Sequence, residues 1–163
     1  MVMFLLVFQR LIQRFLLFLA EEASGICRLS NWRDKINKLS GLSGTFFTPD
    51  YPVPYPGDAR CNWIISAPSG KRVKLKFEDF DLETVSSSCK QRTDEKDYVQ
   101  IGSGQVPGSN PLALYCGYGV ASPLYVYSTG RYMWVKFCSI SSKRSQSSKG
   151  FKAHFEAVEL RKY

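Results

Sequence analysis

Histidine occurs once in this chain of 163 residues, at position 154. Phe151, Ala153 and Phe155 alternate there with Lys152, His154 and Glu156, so the imidazole falls on the polar side of an expected strand. No H-E-x-x-H or G-x-S-x-G pattern is present. Gly102-Ser103-Gly104 is a loop glycine pair with no helix behind it, not a phosphate cradle. Five cysteines occur without a C-x-x-C pair, which disfavours a zinc centre of ordinary spacing. No residue set here points to catalysis, and the expectation is a protein that is not an enzyme. The chain also lacks a βαβ rhythm, an internal repeat, and any helix-turn-helix, RRM or finger signature. Nucleic acid is therefore not the expected partner, although 22 Lys and Arg against 14 Asp and Glu give a formal charge of +8.

An unbroken apolar run of membrane-spanning length is missing too. Sixteen of residues 1–20 are apolar, but Arg10 and Arg14 interrupt them. Each arginine at membrane depth would cost about 2.5–3.5 kcal/mol on insertion scales. Residues 1–25 fit a secretory signal better, with residues 15–20 as its apolar core and Ala23-Ser24-Gly25 as a small-x-small cleavage site. The expected location is secreted, with cysteines oxidised. The alternatives are a membrane anchor that retains residues 1–20 and an interfacial helix. Residues 26–43 read as a polar leader in which Trp32, Ile36 and Leu39 suggest a short helical turn.

What is plentiful is proline, aromatics and short alternating runs. Prolines at 49, 52, 54 and 56 forbid a helix and remove backbone donors from residues 44–65, read as a stiff surface turn that runs into Trp63-Ile64-Ile65. Val73, Leu75 and Phe77 alternate with Arg72, Lys74 and Lys76. Residues 98–101, 112–116, 124–127, 132–137 and 151–156 are further strand-like runs between Gly, Pro and Ser turns. This pattern predicts an all-β, antiparallel two-sheet sandwich of one domain. A chain of this size buries roughly 70% of its unfolded surface, enough for a real core.

The landmarks Gly44, Phe46, Thr48, Pro49, Tyr51, Pro52, Tyr55, Pro56, Cys61, Trp63 and Ile65 stand in the order of G-x-F-x-S-P-x-Y-P-x-x-Y-P, cysteine, W-x-I, with Thr48 in place of serine. Phe80-Asp81-Leu82-Glu83, Cys89, Asp97-Tyr98-Val99, Tyr115-Cys116-Gly117, Val135-Lys136-Phe137 and Gly150-Phe151-Lys152-Ala153 continue the pattern. In these features the chain resembles the CUB domain family over residues 44–158, leaving 159–163 as a tail. The resemblance implies a jelly-roll-like sandwich acting as a non-catalytic extracellular recognition module. Its protein ligand would be met by loops at one end. The alternatives are a calcium-independent protein that binds heparin-like acidic glycans, as in spermadhesins, and an accessory fragment of a larger CUB-containing protease or receptor.

The resemblance also implies site residues. Many CUB domains hold calcium at one end of the sandwich, and the matching positions are Tyr55, Glu83, Asp97 and Ile140. The last is an acid in the family and an isoleucine here. Calcium takes about 6–8 oxygen ligands, so losing one carboxylate weakens such a site. Asp94 and Glu95, in a lengthened 90–96 segment, are candidate substitutes. The family pairing implies disulfides Cys27–Cys61 and Cys89–Cys116. Cys138 is then the odd cysteine, and Cys138 as a rival of Cys61 for Cys27 stays open. Cys138 shares the strand parity of Trp134 and Lys136, which turns it away from Met133, Val135 and Phe137. An exposed thiol there would allow a covalent dimer, and a partly covered one would not. Lys71, Arg72, Lys74 and Lys76, with Lys143, Arg144, Lys149 and Lys152, form two basic clusters. They are either solvated faces or a patch for sulfated glycan or acidic protein.

Overall fold

A computed structural model describes residues 28–29, 36–83, 89, 97–117, 125–140, 145 and 147–160. Ten strands occur among them: β1 (Arg28–Leu29), β2 (Ile36–Ser40), β3 (Ser43–Phe47), β4 (Ala59–Ser66), β5 (Lys71–Asp81), β6 (Tyr98–Ser103), β7 (Pro111–Tyr115), β8 (Tyr125–Tyr127), β9 (Tyr132–Cys138) and β10 (Gly150–Glu159). They form an all-β sandwich of two sheets. One runs β1-β4-β9-β6-β7, with β2 also on β4, and the other runs β3-β10-β5-β8. Every pairing is antiparallel except β2 with β4, which is parallel.

The aromatic content explains the interior. Trp63 packs on Phe46 and Phe151 at centroid distances of 5.2 and 5.6 Å, and Phe77 packs edge-on against Phe151 at 5.4 Å. Such tilted and T-shaped pairs suit the ring quadrupoles and add about 0.5–1.5 kcal/mol each beyond area burial. Strict alternation would send Phe77 and Phe80 to opposite faces. A bulge at Glu78, where the β5/β10 register shifts, turns both inward and brings their rings to 5.1 Å.

Two expectations are corrected, and one open alternative is narrowed. Residues 44–65 are not one surface turn: Ser43–Phe47 is a paired strand, and Tyr55 within the proline segment is 1% exposed. The prolines begin only at 49, so nothing prevents β3 from donating to β10. Ile36 and Leu39 belong to a strand rather than a helical turn, held by β4 and by the Asn37 amide, which donates to the Asn62 carbonyl at 3.2 Å. Of the two alternatives for Cys138, the structure has the covered one, at 6% exposure. Its strand β9 is central, flanked by Arg60 of β4 and Tyr98 of β6.

Candidate functional site

Four segments meet at one end of the sandwich: the proline turn, the residues after β5, the residue before β6 and the residues after β9. Tyr55 is carried inward by the turn and its ring stands edge-on to Phe137 at 5.2 Å. Its hydroxyl donates to Asp97 Oδ2 at 2.6 Å and accepts the Glu83 backbone N–H at 2.8 Å. Asp97 Oδ1 accepts the Ile140 backbone N–H at 2.7 Å. Ser139 ties the same end together: its N–H donates to the Ala59 carbonyl, its hydroxyl donates to the Pro56 carbonyl and accepts the Ala59 N–H. The four positions implied by the resemblance, Tyr55, Glu83, Asp97 and Ile140, thus share one hydrogen-bonded circuit.

The electrostatics follow from burial. Asp97 is 6% exposed, and loss of water raises its carboxyl above the ordinary range. The Tyr55 and Ile140 donors pull it back down, and Glu83 pushes it up again. The Tyr55 phenol is pushed upward by burial first and then by Asp97, so it is a fixed donor at every physiological pH. Glu83 itself is exposed.

Cys89 and Cys116 form a disulfide, with Cα atoms 5.8 Å apart. Cys61 is also disulfide-bonded, and Cys27 lies outside the described residues. The Cys138 thiol is in no disulfide. Of the basic residues, Lys143 and Arg144 lie outside the described residues, as do Asp94 and Glu95. Of the others, three are interlaced with acids: Lys71 pairs with Glu159, Lys74 with Glu156 at 3.2 Å, and Lys152 with Glu78 at 3.0 Å. Lys149 is exposed, and its backbone N–H donates to Asp81. His154 sits on the outer face, its Nδ1 3.1 Å from Thr45 Oγ1.

Sequence reasoning missed two arrangements. Trp134 faces outward by parity yet is fully buried, because its indole lies across Gly102 and donates to the Ser109 carbonyl at 2.7 Å. Arg72 and Lys74 stand over the rings of Tyr127 and Tyr125, 4.8 and 4.6 Å from the centroids. The Tyr-x-Tyr spacing was a visible signal for the second, but its meaning depends on the β5/β8 register.

The fold and site define an all-β, aromatic-cored two-sheet sandwich whose end loops are clasped by a buried tyrosine–aspartate pair. The CUB domain profile matches residues 36–155, and the chain belongs to the CUB domain family. It is 35% identical over 123 residues to cubilin of Canis lupus familiaris and 38% identical over 117 residues to tolloid-like protein 1 of Mus musculus. These matches cover 76% and 72% of the chain but only 3% and 10% of the relatives' lengths. Among solved structures, the CUB1-EGF-CUB2 domains of rat MASP-1 align with a TM-score of 0.62 at 31% identity, covering 76% of the chain and 43% of that structure. The MASP-1 CUB2 domain bound to Ca2+ aligns at 0.57 with 29% identity, covering 74% and 96%. The full extracellular region of zebrafish Gpr126/Adgrg6 aligns at 0.61 with 32% identity, covering 78% and 15%. CUB domains are protein-interaction modules of larger extracellular proteins and are in general non-catalytic. Among the described residues no helix is long and apolar enough to cross a membrane.

The MASP-1 neighbour makes calcium the test of this end. The described donors do not fit a calcium ion. Among the described residues no group of three His, Cys, Asp or Glu side chains is placed to hold a metal. Asp97 accepts the Tyr55 hydroxyl on one oxygen and the Ile140 N–H on the other, which leaves one lone pair on each. Ile140 brings no oxygen from its side chain, and a hard cation needs several charged oxygens.

Proposed function

We infer that this chain is a non-catalytic, extracellular recognition module that meets a protein ligand with the loop end built on Tyr55, Glu83 and Asp97, and that it does so without calcium. The observation that carries this is the closed circuit on Asp97. Two direct donors take the place in the loop framework that a bridging cation would otherwise fill. Glu83, anchored through its backbone but exposed at its carboxylate, is then available to a ligand's lysine or arginine. An exposed ion pair of this kind steers and selects more than it binds, contributing about 0.2–1 kcal/mol. Secretion, with residues 1–25 removed, is part of the same reading. A buried Cys138 thiol favours a module that acts without an interchain disulfide.

The test uses the secreted full chain against an array of purified extracellular proteins, with calcium and with chelator. The expected result is binding that persists in chelator, weakens in Glu83→Gln and is unchanged in Lys136→Gln on the opposite sheet. Calorimetric titration with calcium should give no binding heat, and Asp97→Ala should behave the same. Binding abolished by chelator, or indifferent to Glu83→Gln, would overturn the reading.

A further inference from the structure

The outer face of the four-stranded sheet is separate from the loop end and has its own chemistry. Register fixes two rows across it. Thr45, His154, Lys76 and Tyr125 stand side by side on β3, β10, β5 and β8, and Ser43, Glu156, Lys74 and Tyr127 form the next row. Arg72 follows one step further along β5. Successive outward residues on a strand are about 6.6 Å apart, so Arg72, Lys74 and Lys76 span about 13 Å in a line.

Not all of these charges are already matched. Glu156 takes Lys74, Glu159 takes Lys71 and Glu78 takes Lys152. Among the described residues, Arg72 and Lys76 enter no ion pair. The Arg72 Nε is itself buried with no acceptor, and the guanidinium lies over the Tyr127 ring. Beside this line stand two tyrosines, 40% and 42% exposed among the described residues. The cations resting on their faces hold both rings and ammonium stems in fixed positions.

We propose that this face binds an extended sulfated polysaccharide, with Arg72 and Lys76 taking anionic groups at the two ends of the line and Tyr125 and Tyr127 packing against sugar rings. The shape favours a linear polyanion over a folded acidic protein. Two shallow depressions meet at Lys74, lined chiefly by polar side chains such as Glu78, His154 and Glu159. They offer no apolar pocket for the desolvated anchor residue that dominates protein–protein contacts. The tyrosines supply flat apolar surface with a polar rim, which suits a saccharide lying along the sheet.

The test is binding of the full chain to a heparin oligosaccharide at a fixed salt concentration, with salt-eluted heparin chromatography alongside. The Arg72→Gln/Lys76→Gln pair should weaken binding about tenfold, from two half-buried charge contacts. The control pair Arg131→Gln/Lys136→Gln removes the same charge elsewhere and should change it less than twofold. Tyr125→Ser/Tyr127→Ser should weaken binding with no change in net charge. Should the arginine variant fold poorly, Lys76→Gln alone with the tyrosine pair carries the comparison. The proposal is overturned if both charge pairs behave alike, if the tyrosine pair has no effect, or if polyglutamate or single-stranded DNA competes as well as heparin.

Discussion

Replacing Tyr55 by phenylalanine removes one oxygen and leaves the ring on Phe137 in place. That oxygen makes two bonds, a 2.6 Å donation to Asp97 and a 2.8 Å acceptance from the Glu83 N–H. A hydrogen bond to a charged group is worth about 1.5–3 kcal/mol, and the abandoned N–H adds about 1 more. Tyr55→Phe should therefore destabilise the domain by about 2–4 kcal/mol at pH 7. The loss should depend on pH with a definite sign. Asp97 already sits above its ordinary range because burial penalises the anion, and the Tyr55 donor is what restrains it. A carboxyl raised in the folded state is most favourable to folding when protonated, below its unfolded value. That contribution is lost as pH rises through the folded value. Without Tyr55 the folded value climbs further, so the variant is penalised most near neutrality and recovers on acidification. Urea unfolding followed by tryptophan fluorescence at pH 7 and pH 4 reads this directly. The expected gap narrows to about 2 kcal/mol at the lower pH, the worth of a neutral hydrogen bond plus the abandoned Glu83 N–H, which does not titrate. An equal gap at both pH values, or a gap under about 0.5 kcal/mol at pH 7, would refute the assignment of the hydroxyl to a buried anion.

Gly102→Ala should cost about 2–4 kcal/mol, since the added Cβ falls 2.2 Å from the Trp134 ring and displaces an indole that also donates to Ser109. Blue-shifted emission lost together with stability would mark the expelled indole, and unchanged fluorescence would contradict it. Opening Cys89–Cys116 with a Cys89→Ser/Cys116→Ser pair frees a loop with a sequence separation of 27, worth about 3–4 kcal/mol by chain entropy. A drop below about 1 kcal/mol in denaturant titration would show that the unfolded chain is not the state being restrained. Maleimide should label Cys138 only after unfolding, given its burial, and rapid labelling of the native chain by mass spectrometry would disprove that.

The sandwich was legible because its strands announce themselves locally. Val73-Lys74-Leu75-Lys76-Phe77 alternates cleanly, and its inward set is buried as the alternation requires. What stayed hidden depends on neighbours far away in sequence. Trp134 and Cys138 carry the parity of a wet face, but β9 runs between two other strands and Gly102 on β6 leaves room for an indole to fold down. Phe77 and Phe80 share a face only through a bulge, which periodicity cannot place. Thr48 stands where serine was expected and is fully buried. Its hydroxyl accepts the Phe151 N–H at 3.1 Å, close to Gly150, whose φ of 90° and missing Cβ let the two segments touch. The loop-end residues were legible as a set, through the resemblance. Their wiring was not, because the decisive donor at Ile140 is a backbone N–H that any side chain could carry.

That last point explains how an acid can be absent at 140 without the loop end falling apart. The Ile140 contribution to the circuit is made by its main chain and survives the change of side chain. The change also removes a negative charge from beside Asp97, which Glu83 already pushes upward. Three carboxylates clustered without a cation would repel one another, whereas one buried and one exposed carboxylate with two donors repel less. Ile140→Asp reverses the substitution and separates the two regimes. In chelator it should be less stable than the parent by about 1–2 kcal/mol, from a like charge placed near a partly desolvated anion. If the restored acid completes a calcium set, calcium at about 100 times its dissociation constant would return about 2.7 kcal/mol to the variant and nothing to the parent. Thermal unfolding of both proteins with and without calcium decides it. A parent that gains stability from calcium would mean that acids other than Asp97 and Glu83 complete the set, and the hydrogen-bonded circuit would then not be what holds the loops.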